Sequence, residues 1–420
     1  MLNLTEMGKN ARAAFQKISL APHDQRLAAL HILHDGLLSA TAEILAANEV
    51  DVRASQANGN APAFIDRLTL NPKRLKGIAN DLMTLIQAED PLGKETDHRT
   101  LANGISLCRR TVPLGVMGVI YESRPNVTMD VAGLCIKTGN TAILRGGSDN
   151  LNSNLALMKV VRQALDQAGL PADTVQLIDN TDRKYIGELL KLHEYLDLII
   201  PRGGANLHRL CRENSMIPVI TGGIGVCHLF VDETADLSAA IPLIRNAKIQ
   251  KPSACNALDT VLVHENVASE FLPALVNTLA QDGVSFRAEP LAMQALTDLT
   301  QASILPATQQ DFSTEWLDLI LGLKVVANLE DAIAHIQAHS TQHSDGILSD
   351  NHSNIEIFVN EVDSAAVFVN ADTRFNDGAQ FGLGAEVAVS TQRLHVRGPM
   401  GLPELTSYKW VVRGDYTIRQ

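Results

Sequence analysis

The sequence predicts an α/β fold built from two lobes. From Ile105 onward, short apolar runs alternate with helical patterns, the texture of βαβ units and a mostly parallel sheet. The same texture returns in the second half, from Thr260 to Asn370. A helical stretch of about ninety residues precedes both, too long to be a linker.

The N-terminal part reads as helix because the segment from Asp24 to Gln56 places apolar residues at helical spacing without a proline. Asn58-Gly59-Asn60 ends that pattern, and a further helix is expected from Leu75 to Ala88, stopped by Asp90-Pro91-Leu92-Gly93. Strands are then expected at Gly115–Tyr121, Thr141–Leu144, Val175–Ile178, Leu196–Ile200 and Val226–Val231. Helices alternate with them at Val127–Lys137, Ser153–Ala168, Arg183–Leu190 and Ala205–Glu213. In the second half, strands are expected at Thr260–His264, Lys324–Ala327 and Ala366–Asn370, with helices at Ala268–Ala280 and Leu329–Ala338.

Composition narrows the function. The chain has 420 residues and a formal charge of -12, from 35 Lys+Arg against 47 Asp+Glu, which disfavours a polyanionic partner such as nucleic acid. Aromatic residues at 4% leave little surface for stacking bases. No apolar run approaches the roughly 18 residues of a membrane span, and the start, Met1 to Met7, lacks the apolar core of a secretory signal. The five cysteines include no CxxC pair, so neither a disulfide framework nor a zinc ribbon is expected, nor any metal site. A reducing, cytoplasmic setting follows.

Glycine pairs at Gly146-Gly147 and Gly203-Gly204 each follow an expected strand and precede an expected helix. Such a turn either serves the chain alone or presents backbone N–H groups to a phosphate. Further glycines cluster at Gly222-Gly223 with Gly225, and from Gly378 to Gly384. Cys255 is the one cysteine in a polar loop, QKPSACN, with Lys251 close in sequence to favour a thiolate. The other four read as small core residues. His335, His339 and His343 recur at helical spacing without an accompanying carboxylate, and read as solvated surface. Arg393, His395, Arg397, Lys409 and Arg413 form a basic C-terminal group, either an anion site or ordinary surface, and Arg124 and Arg374 are further anion candidates.

Taken together, several segments resemble the gamma-glutamyl phosphate reductase family, within the aldehyde dehydrogenase-like superfamily. They are VPLGVMGVIYESRPNVT from Val112, AGLCIKTGNTAILRGG from Ala132, CNALDT from Cys255, FGLGAE from Phe381, HVRGPMGL from His395 and GDYTIR from Gly414. The likeness runs in order along nearly the whole chain. It implies two Rossmann-like α/β lobes plus an oligomerisation hairpin. Residues 1–95 and 113–225, with a returning segment near 375–395, would form the cofactor domain. Residues 226–374 would carry Cys255, and 96–112 with 396–420 would form the oligomerisation arm, turning at Gly104.

The resemblance implies NADPH-dependent reduction of L-glutamyl 5-phosphate to L-glutamate 5-semialdehyde with release of phosphate, the second step of proline biosynthesis. It makes Cys255 the nucleophile and Asn126 the side-chain donor to the oxyanion. Arg145 and Ser148 fall where the adenosine ribose is met, and the absence of a carboxylate at Ser148 favours the 2′-phosphate of NADP. Gly203 and Gly204 match the pyrophosphate turn, with His208 in place of a later glycine. Glu315 matches the glutamate of the nicotinamide ribose. Ile220 stands where aldehyde-oxidising relatives keep a water-activating glutamate, which suits a reductase. Arg124, Arg374 and Arg397 are assigned to substrate binding. A homo-oligomer is implied, with glutamate 5-kinase as a partner and no role for nucleic acid or membrane. The competing readings are an aldehyde or acyl-CoA-linked dehydrogenase using the same cysteine, and a non-catalytic scaffold that binds the kinase.

Overall fold

A computed structural model describes residues 2–222, 224–299 and 302–419. Gly223, part of one glycine cluster noted above, lies outside the described residues. The chain divides into two compact units. The first comprises Met1–Thr221, Gly382–Ala388 and Pro399–Gln420, and the second Gly222–Phe381 and Val389–Gly398.

In the first unit the N-terminal region is a set of helices, Leu4–Ile18, His23–Ser39, Thr41–Ala57, Pro62–Leu68 and Pro72–Gln87. The apolar pattern from Asp24 to Gln56 belongs to two helices rather than one. The chain turns at Ala40, and the Thr41 hydroxyl donates back to the Leu38 carbonyl at 2.8 Å, closing the first helix. A parallel sheet follows, in the order Val175–Leu177, Thr141–Gly146, Val116–Tyr121, Leu198–Arg202. Its two central strands are buried along their whole length, as strands covered on both faces must be. Helix Asn126–Thr138 joins them and ends at Gly139 in the left-handed conformation (φ 67°). The next residue, Asn140, donates to the Leu405 carbonyl at 2.7 Å and accepts the Gly115 N–H at 2.8 Å.

The first unit also carries an antiparallel sheet of Glu95–Thr100, Ser106–Pro113 and Thr406–Arg413. Gly104 (φ 85°) lies in the connection between its first two strands. The Arg109 guanidinium stacks 4.6 Å from the Tyr408 ring and 5.0 Å from the Trp410 ring.

The second unit is built on a parallel sheet of seven described strands, ordered Ile304–Pro306, Ser285–Ala288, Ile320–Val326, Leu258–His264, Cys227–Val231, Ser344–Leu348, Ala366–Val369. Helices Leu237–Ile249 and Glu265–Ala280 pack one core against it, with Phe271 and Phe286 fully buried. Helices Leu329–His339 and His352–Glu361 cover the Phe230, Ile347 and Phe358 cluster. Strand Ser344–Leu348 lacks an apolar pattern because two of its buried positions are polar. Asp345 is fully buried and accepts from the His228 N–H at 3.0 Å and the Ser340 hydroxyl at 2.6 Å.

The histidine row is not solvated surface. His335 and His343 are buried. The His335 Nδ1 lies 3.0 Å from the Lys324 ammonium, and its ring meets Phe312 edge-on at 5.2 Å. Burial, with His228 and Lys324 nearby, pushes the His335 pKa down to about 2, so the ring is neutral near pH 7. Among the described residues no helix is long and apolar enough to cross a membrane.

Candidate active site

Cys255 lies in the second unit, on the loop between helix Leu237–Ile249 and strand Leu258–His264. None of the five cysteines is in a disulfide, and Cys255 is half-buried where the other four are buried. Burial pushes the thiols of Cys135 and Cys227 up and that of Cys211 up to about 12, which makes them poor nucleophiles. The Cys255 backbone is tightly held. Its carbonyl accepts from the Cys227 thiol at 3.3 Å, and it packs against Gly225 so closely that a Cβ there would overlap the carbonyl oxygen. Two turns, Ala254 N–H to the Lys251 carbonyl and Ala257 N–H to the Ala254 carbonyl, both 3.0 Å, shape the loop.

Two acidic residues hold the segment 225–227, which packs against this loop. Glu315 accepts the Gly225 N–H at 3.0 Å. Asp259 accepts the Cys227 N–H at 3.3 Å and the Trp316 N–H at 3.2 Å, with the buried Lys248 ammonium 3.8 Å away. Burial raises the Asp259 carboxyl to about 6, although Lys248 pulls it down.

Asn256 follows the cysteine and is buried. Its Nδ2 donates to the carbonyls of Arg374 (3.3 Å) and Asn376 (3.1 Å), and its own carbonyl accepts from the Thr373 hydroxyl at 2.8 Å. The segment 373–376 is thereby strapped to the cysteine loop, and Arg374 comes with it. A cavity of ≈ 380 Å³ opens beside this strap, lined by Gln250, Lys251, Arg374, Phe375, Asp377 and Gln380 among others. The Arg374 Nε donates to the Gln250 side chain at 3.0 Å. Arg397 is not among the lining groups. It and Arg393 both pair with Asp363, whose carboxyl they hold below its usual range. The basic C-terminal group thus divides, with Lys409 and Arg413 on the antiparallel sheet of the first unit.

In the first unit, three neighbouring parallel strands release their chains at one edge of the sheet. Strand Val116–Tyr121 leads through Ser123, left-handed at φ 45°, and half-buried Arg124 to Asn126, the first residue of its helix. Strand Thr141–Gly146 leads to exposed Ser148, and strand Leu198–Arg202 to Gly203-Gly204. This carboxyl edge is where α/β sheets bind ligands. Arg145 is buried, and its guanidinium donates to the carbonyls of Gly146 (2.6 Å) and Thr181 (2.9 Å). The Gly204 N–H, at the start of helix Ala205–Asn214, is met by the Glu122 carboxylate at 3.1 Å. Glu122 also lies against Gly203, where a Cβ would collide with it. Burial and the Arg202 charge hold His208 down at about 4, so a neutral ring underlies this turn. Ile220 is buried and offers no base.

The aldehyde dehydrogenase family model matches residues 3–324. Gamma-glutamyl phosphate reductases of Vibrio parahaemolyticus and Aliivibrio fischeri are 54% and 55% identical to this chain, in each case over 100% of both chains. The crystal structure of gamma-glutamyl phosphate reductase from Thermotoga maritima superposes with a TM-score of 0.94 at 46% identity, covering 99% of this chain and 100% of that one. The chain belongs to the gamma-glutamyl phosphate reductases of the aldehyde dehydrogenase family.

It is accordingly an oxidoreductase with an aldehyde dehydrogenase-like fold. Three groups in this reductase were not legible as site residues. Glu122 and Asn256 act through contacts to positions 82 and about 118 residues away, which no local pattern signals. Asp130 lies one helical turn after Asn126 and accepts its amide, and only the i, i+4 spacing hinted at that.

Proposed function

We propose that this reductase converts L-glutamyl 5-phosphate to L-glutamate 5-semialdehyde with NADPH, releasing phosphate, through a thioester on Cys255, as the second step of proline biosynthesis. The observation that carries the reading is the setting of Cys255, the one cysteine held half-buried in a braced polar loop. The Cys255 thiolate attacks the acyl carbon, the acyl–oxygen bond to phosphate breaks, and a thioester remains. When bound, NADPH supplies the hydride that reduces this thioester. Collapse of the resulting thiohemiacetal returns the thiolate and frees the aldehyde. Asn126 donates an amide N–H to the oxyanion formed at each stage. Buried Ile220 provides no base to activate water, so the acyl group is kept for reduction.

The first unit suits the dinucleotide. Gly203-Gly204 sit between a strand end and a helix N-terminus, the setting that accepts a pyrophosphate, and the Glu122 carboxylate, which takes the Gly204 N–H here, must give way to it. Ser148 leaves the 2′ position without a carboxylate, and Arg145 adds positive charge, which favours NADP over NAD. Glu315 is assigned to the cofactor ribose by family likeness, with its bond to Gly225 as a second duty. Arg374 is assigned to the substrate's anionic groups, as are Arg124 and Arg397, the last only if Asp363 yields it. The antiparallel sheet, with Tyr408, Trp410 and Val412 exposed, is assigned to homo-oligomer formation, and glutamate 5-kinase is the proposed supplier of the substrate. The setting is cytoplasmic.

The test runs the reaction backwards, because the acyl phosphate is labile. Pyrroline-5-carboxylate, the cyclised form of glutamate 5-semialdehyde, is mixed with NADP⁺ and phosphate and with the enzyme or Cys255→Ala. Phosphate-dependent NADPH formation, lost in the variant, is expected. NADPH formed at the same rate without phosphate would instead indicate an aldehyde-oxidising dehydrogenase.

A further inference from the structure

We propose that Asp130 is a positioning residue for the reaction, its carboxylate fixing the Asn126 amide so that the second N–H of Nδ2 serves the oxyanion. The inference rests on the role given to Asn126 above. Asn126 opens helix Asn126–Thr138 and Asp130 stands one turn later on the same face. The Asn126 Nδ2 donates to the Asp130 Oδ2 at 2.9 Å. A primary amide carries two N–H groups on Nδ2, and a carboxylate can only accept. An ionised Asp130 therefore tolerates only the nitrogen end of the amide, and leaves one N–H to be used elsewhere. A protonated Asp130 can donate to Oδ1 instead, and the amide is then free to turn over and present an oxygen to a developing oxyanion.

The surroundings of Asp130 do not explain its presence by stability. It is faced by Asp81 from helix Pro72–Gln87, by Arg202 at the end of strand Leu198–Arg202 and by Glu386 from the returning segment 382–388. Asp130 is half-buried, and the desolvation of its carboxyl raises it to about 7, with Asp81 and Glu386 adding to the rise, while the Asn126 bond and Arg202 pull the other way. A carboxylate that resists its own ionisation costs stability at neutral pH, and such a cost is commonly tolerated where a group has a task.

The experiment compares wild type, Asp130→Asn, Asp130→Ala and Asn126→Ala in the phosphate-dependent reverse reaction between pH 6 and 8.5, with melting curves alongside. Asn126→Ala is expected to lower kcat by about a hundredfold. Wild-type kcat is expected to rise through an apparent pKa near 7. Asp130→Asn, which can hold the amide either way round, is expected to lower kcat several-fold with KM little changed, to lose that acid limb, and to melt higher than wild type at pH 8. Asp130→Ala is expected to lose about tenfold or more. A wild-type kcat and pH profile in Asp130→Asn, with Asn126→Ala impaired, would overturn the inference alone. A wild-type kcat in Asn126→Ala would overturn the oxyanion reading and the inference with it.

Discussion

Gly225 lies against Cys255 with no room for a Cβ between them, since any other residue would overlap the Cys255 carbonyl oxygen. The contact fixes the cysteine backbone from one side while Glu315 fixes Gly225 from the other through its N–H.

Gly225→Ala must therefore move the loop. Overpacking of this kind costs about 1–3 kcal/mol of stability. The displacement of the nucleophile should cost a comparable amount in rate, about a hundredfold in kcat for a shift near 1 Å. Turnover and thermal melting of the purified variant read both. An alanine variant with wild-type kcat would show that the loop is not held by this contact.

Glu315→Gln keeps an oxygen to accept the Gly225 N–H, whereas Glu315→Ala leaves that N–H unmatched. The glutamine variant should stay within a few-fold of wild-type kcat and the alanine variant should lose about tenfold, the cost of about one hydrogen bond to a charged group. Equal losses in the two would assign the role of Glu315 to its charge on the cofactor instead.

Asn256→Ala removes the buried amide that satisfies the carbonyls of Arg374 and Asn376. Leaving buried acceptors unmet costs about 1–3 kcal/mol. Because Arg374 rides on the same strap, KM for pyrroline-5-carboxylate should rise along with the loss of stability. Denaturant melts and substrate saturation curves measure the two, and a stability loss without any KM change would detach Arg374 from substrate binding.

His335 sets an acid limit on stability. Its folded pKa of about 2 lies below the ordinary 6.5, so its neutral form is stabilising in full above pH 6.5 and that contribution is lost as pH falls below it. His208, held at about 4, acts in the same direction. Asp259, raised to about 6 from 3.8, and Asp130, raised to about 7, act oppositely, because their folded forms take up a proton first and gain stability as pH falls through those values. Wild-type stability should thus change little between pH 6 and 5. In His335→Gln, whose side-chain oxygen can still accept from Lys324, one loss is gone, so the variant should gain about 1 kcal/mol on wild type over that interval. Parallel melting curves for the two proteins would refute this assignment.

The sheets were legible where burial is continuous. Val116–Tyr121 and Thr141–Gly146 are apolar runs because helices cover both faces, and both were expected within two residues of their ends. Ser344–Leu348 was not, since Ser344 and Asp345 are buried polar residues satisfied by distant partners such as His228. The same rule governs the site. Cys255 stood out because a cysteine in a polar loop is locally unusual. Asn256, Glu122 and the Lys248–Asp259 pair were invisible, because their meaning lies in which far carbonyl, N–H or charge the fold brings to them. The histidine row misled because helical spacing looks alike on a wet face and on a face packed against Lys324 and Phe312.

The central claim is a thioester on Cys255, and omitting phosphate from the reverse reaction isolates it. Pyrroline-5-carboxylate and NADP⁺ should then give a burst of about one NADPH per chain and stop. The peptide containing Cys255 should carry the added glutamyl mass, and phosphate should discharge it. Sustained NADPH formation without phosphate, or a burst that survives Cys255→Ala, would contradict the account.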